Sequence, residues 1–255
     1  MKRRCVQLSL FLATGMASAG TPINDTGIKL CGDYAFDAGG VHNNDVDCGL
    51  AIDEHGDPVP PDQDGRFGRD VTHNDDSDGR AGFSFTKIDS FGSVLANGAS
   101  NWDCVRDNVT GLMWEVKTDD DGLRDKDWTY TWYNPDSSTN GGSSGTENEG
   151  TCLDGANCDT AKFVAEVNAT DLCNFQDWRL PDPDELRSIV DYSVPFPGPT
   201  IDAGWFQNAT SSVFWSASPI AQDPESAWSL DFSNGDSHFD DKSNPVSVRL
   251  VRGAE

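Results

Sequence analysis

Residues 178–186 read WRLPDPDEL, and the second half of that run spells out a helix start. Asp182 is placed to accept a backbone N–H as the N-cap, and Pro183 suits the first helical position, where no amide donor is needed. Glu185, three residues after Asp182, completes a capping-box pattern, and acids in a first turn sit well on the positive end of the helix dipole. Leu186, Ile189 and Val190 then share one face, and Arg187 and Asp191 are expected to pair on the other. Trp178 and Leu180 supply apolar bulk ahead of the cap. Trp178, Leu180 and Leu186 are therefore expected in the core, and Arg179 in an ion pair with an acid. The stretch reads as a structural pivot, not as a reaction centre.

Working outward, residues 160–172 predict a helix with Phe163, Val164 and Val167 facing the core, leading into Cys173. Residues 112–116 predict a buried strand, and 82–88 alternate as an earlier one. The aromatic run WTYTWY at 128–133 could stack on sugar rings, but such residues more often anchor a core. Residues 134–150 are rich in Ser, Gly and Asn and are expected to be mobile. Downstream, 192–208 is rich in Pro and Gly and predicts a long surface loop. A short strand is expected at 214–217. Trp228, Leu230 and Phe232 alternate with Ser229, Asp231 and Ser233, the period of a half-buried strand, and Asn234-Gly235 is the strongest hairpin signal.

The pivot WRLPDPDELRSIVDYS, with DNVTGLMWE (107–115), FWSAS (214–218), AWSLDFSNG (227–235) and VRLVR (248–252), resembles the Lcl C-terminal domain family. That family is named for a bacterial collagen-like surface adhesin. The five segments occur in the family's order and cover most of the chain from about residue 102 onward, a domain-sized unit. The resemblance implies an α+β, C-type-lectin-like fold with two short helices and a small, mostly antiparallel sheet, distantly similar to the formylglycine-generating enzyme. It also implies that the last strand, 246–252, pairs near the first to close the domain. The expected division is a signal peptide at 1–19, an irregular acidic Gly- and Asp-rich extension at 20–100, and the family domain at 101–255.

Lys2, Arg3 and Arg4, the apolar run 6–13 and Ala17-Ser18-Ala19 together read as a cleaved signal peptide. The apolar run is too short to span a bilayer. Secretion, to the periplasm or the cell surface, is the expectation, without membrane insertion. Of 7 cysteines, Cys5 falls in the signal; an even set in an oxidising compartment points to disulfides. Chain proximity favours Cys31–Cys48 and Cys152–Cys158, which leaves Cys104–Cys173. A zinc site lacks the CxxC spacing.

The net charge of −25, from 43 acids against 18 Lys and Arg, repels nucleic acid and anionic membrane. Asn74, Asp76, Asp78 and Gly79 match the opening half of a calcium loop, whose alternate oxygens converge on one ion. Phe85 stands where the closing bidentate Glu belongs, so a solvated acidic turn competes with a calcium site.

Two kinds of function compete. The resemblance implies a binding module for a carbohydrate or another surface partner, because the founding adhesin binds sulfated glycosaminoglycans. The acidic balance fits a neutral glycan, or one bridged by calcium, better than a sulfated one. Ligand contacts are expected at Asn234, Asp236, His238, Asp240 and Asp241, with Trp215 as a stacking face. A structural piece of a cell-surface assembly is the plainer alternative. Formylglycine-generating chemistry uses a cysteine pair late in the domain, and no cysteine follows Cys173. His42, His55, His73 and His238 are scattered and no nucleophile–base motif occurs, so no enzyme and no catalytic residue is expected.

Overall fold

The computed structural model describes residues 25–33, 45–73 and 75–253. The expected signal peptide, His42 and Asn74 lie outside them. Among the described residues, three α-helices, α1 (Arg69–Thr72), α2 (Thr160–Ala169) and α3 (Pro183–Arg187), accompany seven strands. Strands β1 (Phe85–Ile88), β2 (Cys104–Asp107), β3 (Met113–Glu115) and β7 (Val251–Arg252) form one antiparallel sheet in that order. Strands β4 (Val213–Ile220), β5 (Asp223–Asp231) and β6 (Asp236–Asp241) form a second. The fold is α+β, with its strands divided between two small sheets.

The terminal segment joins those sheets. Val246 bridges to Tyr130, the Trp215 amide donates to the Ser247 carbonyl at 3.0 Å, and the Glu115 amide donates to Leu250 at 3.0 Å. Val251 then exchanges hydrogen bonds with Arg179, so the end of the chain ties the pivot to both sheets. Alternation along β3 sends Trp114 into one core and Met113 into the other. Phe85, Leu186, Trp205, Phe206, Phe214 and Leu230 fill the first; Tyr130, Trp132, Phe163, Trp178, Trp215 and Leu250 fill the second.

The pivot folds as its residues dictate. The Asp182 carboxylate accepts the Glu185 amide at 2.7 Å, and Glu185 Oε2 accepts the Asp182 amide at 2.9 Å. Leu186 and Trp178 are buried, whereas Leu180 is only half-buried against the second core. The expected Arg187–Asp191 pair does not form. The helix stops at Arg187, so the i,i+4 geometry needed to reach Asp191 never exists. Arg187 turns back to Asp184 at 2.9 Å, and Asp191 is buried against Arg80 at 3.0 Å.

Three further expectations change. The helix begun at Thr160, capped by Asp159, ends at Ala169, and a separate 3-10 turn at Leu172–Asn174 presents Cys173. Residues 192–208 are not merely surface: Ile201, Trp205 and Phe206 are core residues. The polar loop 134–150 is pinned. Lys242, buried over the Trp132 ring, donates to the carbonyls of Asn140, Ser143 and Pro224 at 2.9, 2.7 and 2.6 Å.

Cys31–Cys48, Cys104–Cys173 and Cys152–Cys158 are all disulfides. The first holds a small cluster with Val46 and Val59 in the acidic extension. The extension is fastened to the domain through Tyr192, whose amide donates to Thr26 at 2.8 Å, and through Arg80–Asp191. Its last residues belong to the domain's core: Phe83 and Phe85 pack there, and β1 is an edge of the first sheet.

Candidate functional site

Of the residues expected to contact a ligand, Asp236, His238, Asp240 and Asp241 lie on β6, the outer strand of the second sheet. A four-residue turn connects β5 to β6, with Gly235 at φ 82° donating its amide to the Asp231 carbonyl at 2.7 Å. That left-handed backbone is the reason for glycine there. Asn234 closes the turn by exchanging two hydrogen bonds with Asp236, at 2.7 and 3.0 Å.

The five polar residues expected to gather do not share one surface. Successive side chains on a strand point to opposite faces, so Asp236, His238 and Asp240 lie on one side of β6 and Asp241 on the other. His238 is exposed opposite Ser229, and Asp240 accepts the Ser229 hydroxyl at 2.7 Å. Asp241 accepts the hydroxyl and amide of Ser243 at 2.7 and 2.9 Å, and these bonds hold its pKa below the usual carboxylate value. Trp215 is not a stacking face. It is fully buried and its indole N–H donates to the Tyr130 carbonyl at 2.8 Å.

Another tryptophan takes that place. Trp228 and Phe239 are direct cross-strand partners, 37% and 63% exposed, on the face that also carries Ser237 and Asp241. Regular alternation assigns Trp228 to the core with Leu230. Leu230 is covered by the first core, but the β4–β5 register slips between Trp215 and Pro219, where Trp228 lies, and Trp228 remains partly exposed. The signal available in the sequence was Phe239, an aromatic among polar residues.

A cavity of about 750 Å³ lies between the acidic extension and the pivot. The extension supplies Asp25, Asp64, Phe67 and Gly68, and the pivot supplies Asp182, Asp184 and Arg187. Arg187 links the two surfaces: it lines the cavity, and its guanidinium donates to the Ser237 hydroxyl on β6 at 2.8 Å.

The expected calcium ligands are engaged separately. Asp76 pairs with Lys29 at 3.2 Å and accepts the Ala81 amide, which with Lys29 lowers its pKa; Asp78 accepts the Ser84 hydroxyl at 2.6 Å. Among the described residues, carboxylates converge instead at Asp33, Asp53 and Asp57 and at Asp119, Asp125 and Asp127. At the second group a cation is already present. Lys126 binds Asp119 at 3.1 Å and Asp127 at 2.9 Å, and the pair raises its pKa.

These features define a disulfide-stapled α+β domain that displays the β5–β6 ribbon at the edge of its second sheet. The chain belongs to the Lcl C-terminal domain family, which matches it over residues 103–252. Searches of curated proteins and of solved structures found no match.

Proposed function

We propose that the protein is an exported, non-enzymatic binding module that takes a neutral carbohydrate on the β5–β6 ribbon. The observation that carries this reading is the exposed Trp228–Phe239 pair, set beside the Ser237 hydroxyl and the Asp241 carboxylate. Aromatic faces cover the C–H faces of a sugar ring, and hydroxyl and carboxylate groups pair with its hydroxyls. A net charge of −25 opposes sulfated ligands. Export rests on the basic, apolar and small-residue order of residues 1–19, and three disulfides suit an oxidising compartment. No helix among the described residues is long and apolar enough to cross a membrane.

A glycan array probed with and without calcium identifies the ligand. Trp228→Ala with Phe239→Ala is then expected to weaken binding at least about tenfold in a protein that still folds. Undiminished affinity in the folded double variant overturns the ribbon as the site. Silence across the array favours a structural role in a surface assembly.

A further inference from the structure

Phe67 is a large ring that the fold leaves uncovered: it is 70% exposed and lines the cavity between the extension and the pivot. One exposed aromatic alone means little. Here it shares the cavity with Leu112 and Tyr192, and a volume of about 750 Å³ falls in the range that encloses a drug-sized molecule. The charges around it are unbalanced, five carboxylates against two guanidiniums. Three of the carboxylates are spent. Asp25 accepts the amides of Thr26, Gly27, Arg69 and Asp70; Glu185 is held by Arg179, and Asp184 by Arg187. Two keep capacity. Asp64, on the extension, gives one oxygen to the Thr26 hydroxyl, and Asp182, on the pivot, gives one to the Glu185 amide. Among the described residues, no hydrogen-bond donor takes the second oxygen of either. The guanidiniums are committed as well: Arg69 donates to the Gly82 carbonyl, and Arg187 is shared between Asp184 and Ser237. Asp70, 8% exposed, deepens the negative field, because its Oδ1 adjoins Gly68 of the cavity wall and meets no donor among the described residues.

We propose that this cavity takes a small organic cation, a protonated amine carried on an apolar body, at a site separate from the ribbon. A bare metal ion suits it poorly. Asp64 and Asp182 come from different walls, and among the described residues the carboxylates that converge on one point lie elsewhere. An amine on a longer body needs only one of the two acids for its N–H donors, while its apolar part covers Phe67, Leu112 and the Tyr192 ring. An ammonium held near an aromatic face gains cation–π attraction as well. An anion is opposed by the carboxylates, and a neutral apolar molecule would strip water from their free oxygens without replacing it. Because the walls come from both extension and domain, an occupant stabilises their contact by mass action. Glycan binding on the ribbon is neither required nor opposed by such a ligand.

The test uses the full chain and the fluorescent amine dansylcadaverine, whose emission rises in an apolar site, with uncharged dansylamide for comparison. Dansylcadaverine is expected to bind saturably and at least about tenfold more tightly than dansylamide. Asp64→Asn with Asp182→Asn, in which asparagine still caps the helix, is expected to weaken the amine at least about tenfold and to leave dansylamide unchanged. Phe67→Ala is expected to weaken both dyes, and covers the case in which the double variant does not fold. Asp127→Asn with Glu147→Gln removes two exposed charges outside the cavity and is expected to leave both affinities unchanged. Failure of dansylcadaverine to bind, or equal affinity for the two dyes, overturns the site. So does unchanged binding in the folded Asp64→Asn with Asp182→Asn protein. Loss of the signal in Trp228→Ala with Phe239→Ala overturns it too, since the probe would then sit on the ribbon.

Discussion

Arg179 and Glu185 meet in a two-pronged ion pair, 2.7 Å on each prong, and the same carboxylate also accepts the Asp182 amide. One acid thus closes the helix box and holds the arginine whose backbone exchanges hydrogen bonds with Val251. Burial disfavours the Glu185 charge, but the guanidinium and the amide outweigh it and hold its pKa below the ordinary 4.5. The stability this lends is complete above about pH 4.5 and is lost as pH falls through the depressed value. Melting curves from pH 7 to 3 are expected to fall less steeply for Glu185→Gln than for wild type, from a lower start. Parallel curves would mean the pair contributes nothing to acid sensitivity.

Asp182→Ala removes the cap and is expected to cost about 1 kcal/mol in urea unfolding. Trp178→Ala is expected to cost about 3–5 kcal/mol, because the indole is buried in the second core and its N–H bonds to the Leu172 carbonyl at 3.1 Å. A Trp178→Ala protein with wild-type stability would place the core elsewhere.

The native protein is expected to show no free thiol from Cys31 onward when denatured without reductant. Cys104–Cys173 closes 69 residues and Cys152–Cys158 only 6. Under the loop-entropy argument the first contributes more, typically about 2–4 kcal/mol. Paired Ser substitutions compared by melting temperature check the order.

Lys242→Met keeps the length of the side chain over Trp132 but abandons three buried carbonyls. A loss of roughly 1–3 kcal/mol is expected. Hydrogen exchange should quicken in residues 134–150 while β1 and β2 stay protected; unchanged exchange in the loop would show that Lys242 is not what holds it.

Local chemistry was the readable part of this chain. Asp182, Pro183 and Glu185 dictate α3 through contacts within four residues, and Asn234-Gly235 marks its hairpin for the same reason. Two disulfides followed from chain proximity, and Cys104–Cys173 was the pairing that remained. Long-range partners were hidden. Nothing near Asp191 in sequence announces Arg80, and nothing in a Gly-, Ser- and Asn-rich run announces that Lys242, about a hundred residues later, will hold it. The ribbon shows the limit most clearly. Alternation tells which residues share a face, but not how far the covering layer reaches, so Trp228 reads as core and Trp215 as available when the reverse is true.

The position of β6 at the end of its sheet has a consequence for the life of the protein at high local concentration. An outer strand offers its backbone to any neighbouring chain, and a second copy could extend the sheet. Asp236, Asp240 and Asp241 make that costly, because a matching strand from another molecule would bring carboxylates against carboxylates. The ribbon can therefore stand at the surface with its aromatic pair uncovered, crowded among copies of itself, without seeding a growing fibre.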